Sequence, residues 1–140
     1  MVKKTIKYTD YDGNVRTEDF YFNLSKAEFM EMELGTTGGF SSTLRRIVDA
    51  REMPAIIKIF KEFVLKAYGE KSPDGKRFVK SEELSTAFSQ TEAYSELFME
   101  LATDAQKASN FMNSLVPKDM LDEMTKELEK EENKLVEASV

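Results

Sequence analysis

Two residue types that carry much of enzyme chemistry are missing from this chain of 140 residues, which has no His and no Cys. Their absence removes the commonest general base, the commonest metal ligand and the thiolate nucleophile together. Chemistry would have to come from carboxylates, Lys, Ser, Thr or Tyr. Asp10, Asp12, Asn14 and Glu18 are spaced somewhat like the oxygen ligands of a calcium loop. Counted from Asp10, however, Gly13 falls at the fourth position, where such a loop needs its glycine at the sixth. Gly35-Thr-Thr-Gly-Gly-Phe has the glycine content of a phosphate loop but lacks the terminal Gly-Lys-Ser/Thr, and no strong strand precedes it. Ser25-Lys26 lacks the Ser-x-x-Lys spacing of a nucleophile–base pair and suits a helix cap better. Buried carboxylate pairs can do acid–base work, but here the acidic residues alternate with Lys at helix-surface spacing, which reads as solvated faces. The expectation is a protein that is not an enzyme, with no catalytic residues, cofactor or metal.

Aromatic stacking on nucleic-acid bases is the remaining candidate, through Tyr8, Tyr11, Phe20, Tyr21 and Phe22. That mode needs a basic groove. Lys3, Lys4, Lys7 and Arg16 are offset by Asp10, Asp12, Glu18 and Asp19, so packing against helices accounts for the cluster better. The whole chain carries 26 acidic and 20 basic residues, a formal net charge of -6, which repels nucleic acid and anionic membranes. No apolar run reaches the length of a membrane span. The basic start Met1-Val-Lys-Lys is followed by Thr5-Ile-Lys-Tyr rather than an apolar leader segment. Lack of Cys suits a cytosolic protein.

The elements that must position these residues are mostly helical. Thr5–Thr9 and Val15–Phe22, separated by Asp12-Gly13-Asn14, predict a β-hairpin. Ile6 and Tyr8 share one face, Phe20 and Phe22 share another, and Tyr21 points the opposite way. A two-stranded ribbon is marginal alone and must lean on helices or a partner sheet. Ser25 with Glu28 forms a capping box for a helix to about Leu34, with Phe29, Met32 and Ala27 facing inward. Gly35–Gly39 ends it, and a short helix holding Leu44, Ile47 and Val48 follows. Pro54 opens the most apolar helix, Ile56 to Tyr68, which is expected to be central to the core. Gly69 reads as its C-cap and Glu70–Lys76 as an exposed loop. Ser81 caps a helix through Phe88, and Ser89 with Glu92 reads as a second capping box. The stripe Tyr94, Phe98, Leu101, Ala105, Ala108, Met112 and Leu115 then predicts one long helix, although Thr103 and Gln106 could mark a break.

Pro117 begins a last predicted helix. Residues 118–140 carry eight acidic and four basic side chains. Their apolar stripe, Leu121, Met124, Leu128 and Leu135, is narrow, the kind that forms a coiled coil or waits for a partner. The reading is therefore an α+β, mainly α fold. Its N-terminal β-hairpin packs on a bundle of five or six helices in residues 1–116, and residues 117–140 form a loosely attached charged helix. Met side chains repack around varied partners. Candidate partner-binding residues are accordingly Met120, Leu121, Met124 and Leu128 on the tail, with Tyr21 on the free face of the ribbon.

Several stretches carry a likeness to a known family. They are Thr5-Ile-Lys-Tyr-Thr-Asp-Tyr-Asp-Gly, Phe20-Tyr-Phe-Asn-Leu-Ser-Lys, Tyr68-Gly-Glu-Lys-Ser-Pro-Asp-Gly-Lys-Arg-Phe and Thr91-Glu-Ala-Tyr-Ser-Glu-Leu-Phe-Met-Glu-Leu. In their order and combination the chain resembles the tail assembly chaperones of long-tailed bacteriophages (siphophages) of Gram-positive bacteria, from the hairpin to about Pro117. The resemblance implies a non-enzymatic protein of virion morphogenesis, acting in the host cytoplasm and absent from the mature virion. It implies binding to the tape measure protein, which is kept soluble, and recruitment of tail tube subunits. In many members a longer frameshifted form contacts the tail tube protein. Several copies along one client, a homo-oligomer, would suit that role. The alternative is a virion structural subunit, such as a minor tail or head–tail connector protein.

Overall fold

Alternating aromatic and β-branched residues around a tight turn form the first two elements. In the computed structural model, which describes residues 1–115 without the side chains of Ser41, Leu44, Val48, Ala105 and Ser109, β1 (Val2–Thr9) pairs antiparallel with β2 (Val15–Phe22). Asp10 builds the turn. Its Oδ1 accepts from the N–H groups of Asp12 and Asn14 at 3.0 and 2.9 Å, and Gly13 takes φ +84°. Arg16 Nε donates to Asp10 Oδ2 at 2.5 Å. That guanidinium, with the two backbone donors, holds the Asp10 carboxyl below the usual carboxylate range. Of the acidic residues that looked like calcium ligands, Asp10 serves the turn and Glu18 accepts from the Tyr8 hydroxyl.

Three helices follow: α1 (Lys26–Gly35), α2 (Phe40–Asp49) and α3 (Met53–Ala67). The predicted loop after them is a second hairpin, β3 (Tyr68–Lys71) with β4 (Phe78–Val79). Its turn is closed by Asp74, whose Oδ1 accepts from Ser72 Oγ at 2.6 Å and from Lys76 N at 3.0 Å. Gly69 is no helix cap. It pairs with Tyr21, and a Cβ there would stand 2.5 Å from the Phe78 ring and 2.7 Å from the Val79 carbonyl oxygen. The ribbon thus grows into a four-stranded antiparallel sheet in the order β1-β2-β3-β4. The mainly helical α+β class holds.

The C-terminal helices are α4 (Glu82–Ser89), α5 (Glu92–Thr103) and α6 (Ala105–Leu115). Two boundaries differ from the sequence expectation. Ser89 ends α4 rather than capping α5, and Thr91 is the cap, its hydroxyl accepting from Tyr94 N at 3.2 Å. The single long helix is broken at Asp104, whose carboxylate accepts from the N–H groups of Gln106 and Lys107 at 3.0 and 3.1 Å. A capping carboxylate outcompetes continuation of the apolar stripe. The break also turns the buried face onto Ala93, Leu97 and Leu101 in α5 and Phe111 and Leu115 in α6.

The core lies between one sheet face and these last helices. Phe22 is fully enclosed, edge-on to Phe88 and Phe111. Tyr68 stacks on Phe88 at 4.3 Å between ring centroids. Helix α5 lies against β1, anchored by Lys4 Nζ to Glu100 Oε1 at 3.1 Å. Helix α3 is not central. Only its C-terminal residues Phe63, Val64 and Ala67 enter the core, and Phe60 is half-buried.

Candidate functional site

Between Phe29 and Phe63 no described side chain is buried, although the segment holds most of three helices and many apolar residues. The reason begins with how α1 is pinned. Ser25 Oγ accepts from Glu28 N at 3.1 Å, and Glu28 Oε1 accepts from Ser25 N at 3.0 Å, so the predicted capping box is present. Lys80 Nζ donates to Glu28 Oε2 at 2.7 Å and to the Asn23 carbonyl, tying the helix start to the residue after β4. Burial pushes the Glu28 pKa upward. The Lys80 ammonium and the Ser25 donors outweigh it and hold the carboxyl below its ordinary value.

With its first turn fixed, α1 can bury only one side. Phe29 is sealed and Met32 half-buried, while Ala27 is exposed rather than inward. Met30 and Leu34, four residues apart and so on a common face, are 41% and 78% exposed. Gly38 and Gly39 then take positive φ, and Phe40 opens α2 with its ring stacked on Phe63 at 6.2 Å.

Helix α2 ends in a Schellman motif. Glu52 N donates to the Ile47 carbonyl at 3.3 Å, and Arg51 stands at the left-handed position with φ +55°. Glycine is the usual residue there, so an Arg at this position carries no signal of the turn. It aims α3 so that Met53 and Ile57 are 55% and 40% exposed, with Ile56, Ile59 and Phe60 half-buried. An open groove of about 330 Å³ runs between the three helices. Met32, Phe40, Ile59 and Phe63 give its apolar lining, and Glu31, Glu62 and Lys66 its charges.

The groove has the make-up of a protein-docking surface, a shallow apolar floor with a charged margin, while the exposed Met30, Leu34, Met53 and Ile57 lie outside its lining. Among the described residues no three carboxylates gather as a metal site, and no buried side-chain polar atom lacks a hydrogen-bond partner. No described helix is long and apolar enough to cross a membrane.

Of the residues singled out from sequence, Tyr21 lies on the other side of the sheet from Phe20 and Phe22, half-buried, with Lys71 Nζ 4.5 Å above its ring. A second open groove of about 370 Å³ runs beside it, bordered by Glu18, Asp19, Glu70 and Lys71. Met120, Leu121, Met124 and Leu128 lie outside the described residues. The groove between α1 and α3 and the exposed apolar residues of both helices were missed, because the apolar richness of α3 reads equally well as core or as interface. The only signal was the poor inward share of α1 beside it.

A model of the family described as phage tail assembly chaperone matches residues 1–139. The match runs beyond Pro117, where the residue-by-residue likeness stopped. No curated protein and no solved structure gives a significant match.

Proposed function

The chain belongs to the phage tail assembly chaperone family, and from that membership we propose that it binds the tape measure protein of a siphophage, keeps it soluble and helps recruit tail tube subunits. The family's role is assembly rather than catalysis, and it implies protein partners in tail assembly. The observation that carries the finer reading is the open apolar groove between α1 and α3, with further exposed apolar residues on each helix outside it. A tape measure protein is a long helical chain whose apolar stripes aggregate when bare. A chaperone must offer matching apolar surface and bring enough charge to keep the complex dissolved.

Met30, Leu34, Met53 and Ile57 supply such surface on helices that are otherwise well formed. The net charge of -6 supplies repulsion between coated clients. Short helical segments of the client would lie against the α1–α3 groove, several copies of the chaperone lining one client. The setting is the cytoplasm of a Gram-positive host, before the virion is complete.

Co-expression with the tape measure protein tests this, followed by affinity pull-down and size-exclusion chromatography with light scattering. A soluble complex formed only when both chains are present is the expected result. A tape measure protein that stays insoluble beside free chaperone would sink the reading.

A further inference from the structure

At about 330 Å³ the groove between α1, α2 and α3 is at the small end of ligand clefts, which run from about 300 to 1,000 Å³. It has room for one or two side chains of a partner, not for a whole helix. Its floor and its rim differ in chemistry. Phe63 is sealed, while Met32, Phe40 and Ile59 are half-buried and still present surface to the opening. The Phe40 and Phe63 rings lie nearly parallel, 12° apart. A partner's aromatic ring can extend that stack and also meet the Met32 thioether, two contacts that an aliphatic side chain does not make.

The rim is mostly negative. Glu31 from α1 and Glu62 from α3 are exposed carboxylates in the lining. Gly35 and Thr36, at the C-terminal end of α1, line the groove as well. That helix has no basic residue in its last turn, and its dipole leaves about half a negative charge there. Against these stands the ammonium of Lys66. Lys58 and Lys61 are exposed on α3 but lie outside the lining. The floor therefore suits an aromatic ring, and the rim suits a cation.

We propose that the groove takes an amphipathic helix of the client by one aromatic side chain, with a Lys or Arg one turn away reaching Glu31 or Glu62. Residues three or four apart share a helix face, so the ring enters the floor while the cation stays at the rim. The long stems of Lys and Arg cross apolar surface and keep their charged heads in water. A carboxylate at the same position would face two others and the negative end of α1. The groove thus selects among amphipathic helices by the sign of one charge, which apolar contact alone cannot do. This rests on the docking reading of the groove given above, but not on the tape measure protein being what docks.

Met32 supplies the readout. The full-length protein, carbon-13 labelled at its methionine methyl groups, is titrated at low salt with synthetic helical peptides of about five turns. One carries a Phe with a Lys four residues after it. A second has Glu in place of the Lys, and a third has Ala in place of the Phe. The Met32 signal, assigned by Met32→Leu, should move with the Phe–Lys peptide, while Met99, 55% exposed on α5, stays in place. The Glu peptide should bind about fivefold more weakly and the Ala peptide roughly tenfold more weakly. Glu31→Gln with Glu62→Gln should bring the Lys and Glu peptides within about twofold of each other. Should that double variant melt early, Glu62→Gln alone repeats the comparison. Equal affinity of the unsubstituted protein for the Lys and Glu peptides would overturn the proposal. So would equal affinity for the Phe and Ala peptides, or a Met32 signal that no peptide moves. Because the peptides are synthetic, their failure leaves the tape measure reading to its own pull-down, and a failed pull-down leaves the peptide result standing.

Discussion

Phe22 and Ile57 are both large apolar residues in regular elements, and the molecule treats them in opposite ways. Phe22 is wholly enclosed by Tyr68, Phe88 and Phe111, while Ile57 stands 40% exposed on α3. The contrast extends to their regions. The sheet with α4–α6 closes on an aromatic cluster, and Lys4 fastens β1 to α5 through Glu100, while Ser85 Oγ donates across to the Leu65 carbonyl of α3. The helices α1–α3 touch one another in chain order and give that core only Phe63, Val64 and Ala67 as buried members, with Met32, Phe40, Phe60 and Leu65 partly buried against it. One region is finished by its own side chains, and the other displays apolar surface for something else to finish. A family of assembly chaperones needs both, a frame that stays folded and a face that stays available.

The comparison breaks most easily at Phe22. Truncation to Ala should destabilise the protein by about 3–5 kcal/mol, measured as a urea midpoint shift with unchanged slope. Phe60→Ala in the open region should cost less, since that ring is only partly buried. Similar losses at both sites would mean that the α1–α3 region is as closed as the core.

Caps should come next. Asp104→Ala removes the acceptor of two backbone N–H groups at the start of α6 and should cost about 1 kcal/mol. If the α5–α6 break were incidental and the helix able to run straight through, the variant would gain helical circular dichroism instead of losing stability.

That break also shows what could be read from sequence. The first hairpin, the Ser25 capping box, the glycine interruption after α1 and the Ser81 cap were all legible, because each depends on local turn or cap chemistry. The second hairpin was not. Tyr68–Lys71 is short, and its strand character comes from pairing with β2 and β4, a tertiary effect that outweighs the Pro-Asp-Gly turn signal read as loop. The candidate face failed for a different reason. Ile56, Ile57, Ile59 and Phe60 look like core by composition, and only the location of the partner surface decides which of them face out. Arg51 at a left-handed position hid the turn that sets α3's direction.

A pH titration sharpens the contrast from the polar side. The folded-state pKa of Glu28 is depressed, so its link to Lys80 contributes stability above the unfolded value of 4.5, and this is lost as pH falls through the lower folded pKa. Between pH 5 and pH 3, amide exchange should rise in α1 before it rises in β1 and β2. Glu28→Gln should remove that difference while leaving the sheet's protection unchanged. Loss of protection in all elements at one pH would argue that the two regions unfold as a unit.

The smallest stability effect is expected at Leu34, and that smallness is the sharpest test of the open face. Leu34 is 78% exposed in a helix whose fold rests on Ser25, Glu28 and Phe29 at its other end. A charge placed there meets water, so Leu34→Asp should shift the unfolding free energy of the free protein by no more than about 0.5 kcal/mol. The same carboxylate would be stranded against an apolar client helix, and a buried unpaired charge is far costlier than a lost methyl contact. Tape measure binding should therefore weaken at least tenfold in the pull-down, with the melting curve nearly unchanged. A variant that melts early would place Leu34 in an unrecognised packing role. One that melts normally and binds normally would take α1 out of the client face and leave α3 to carry it.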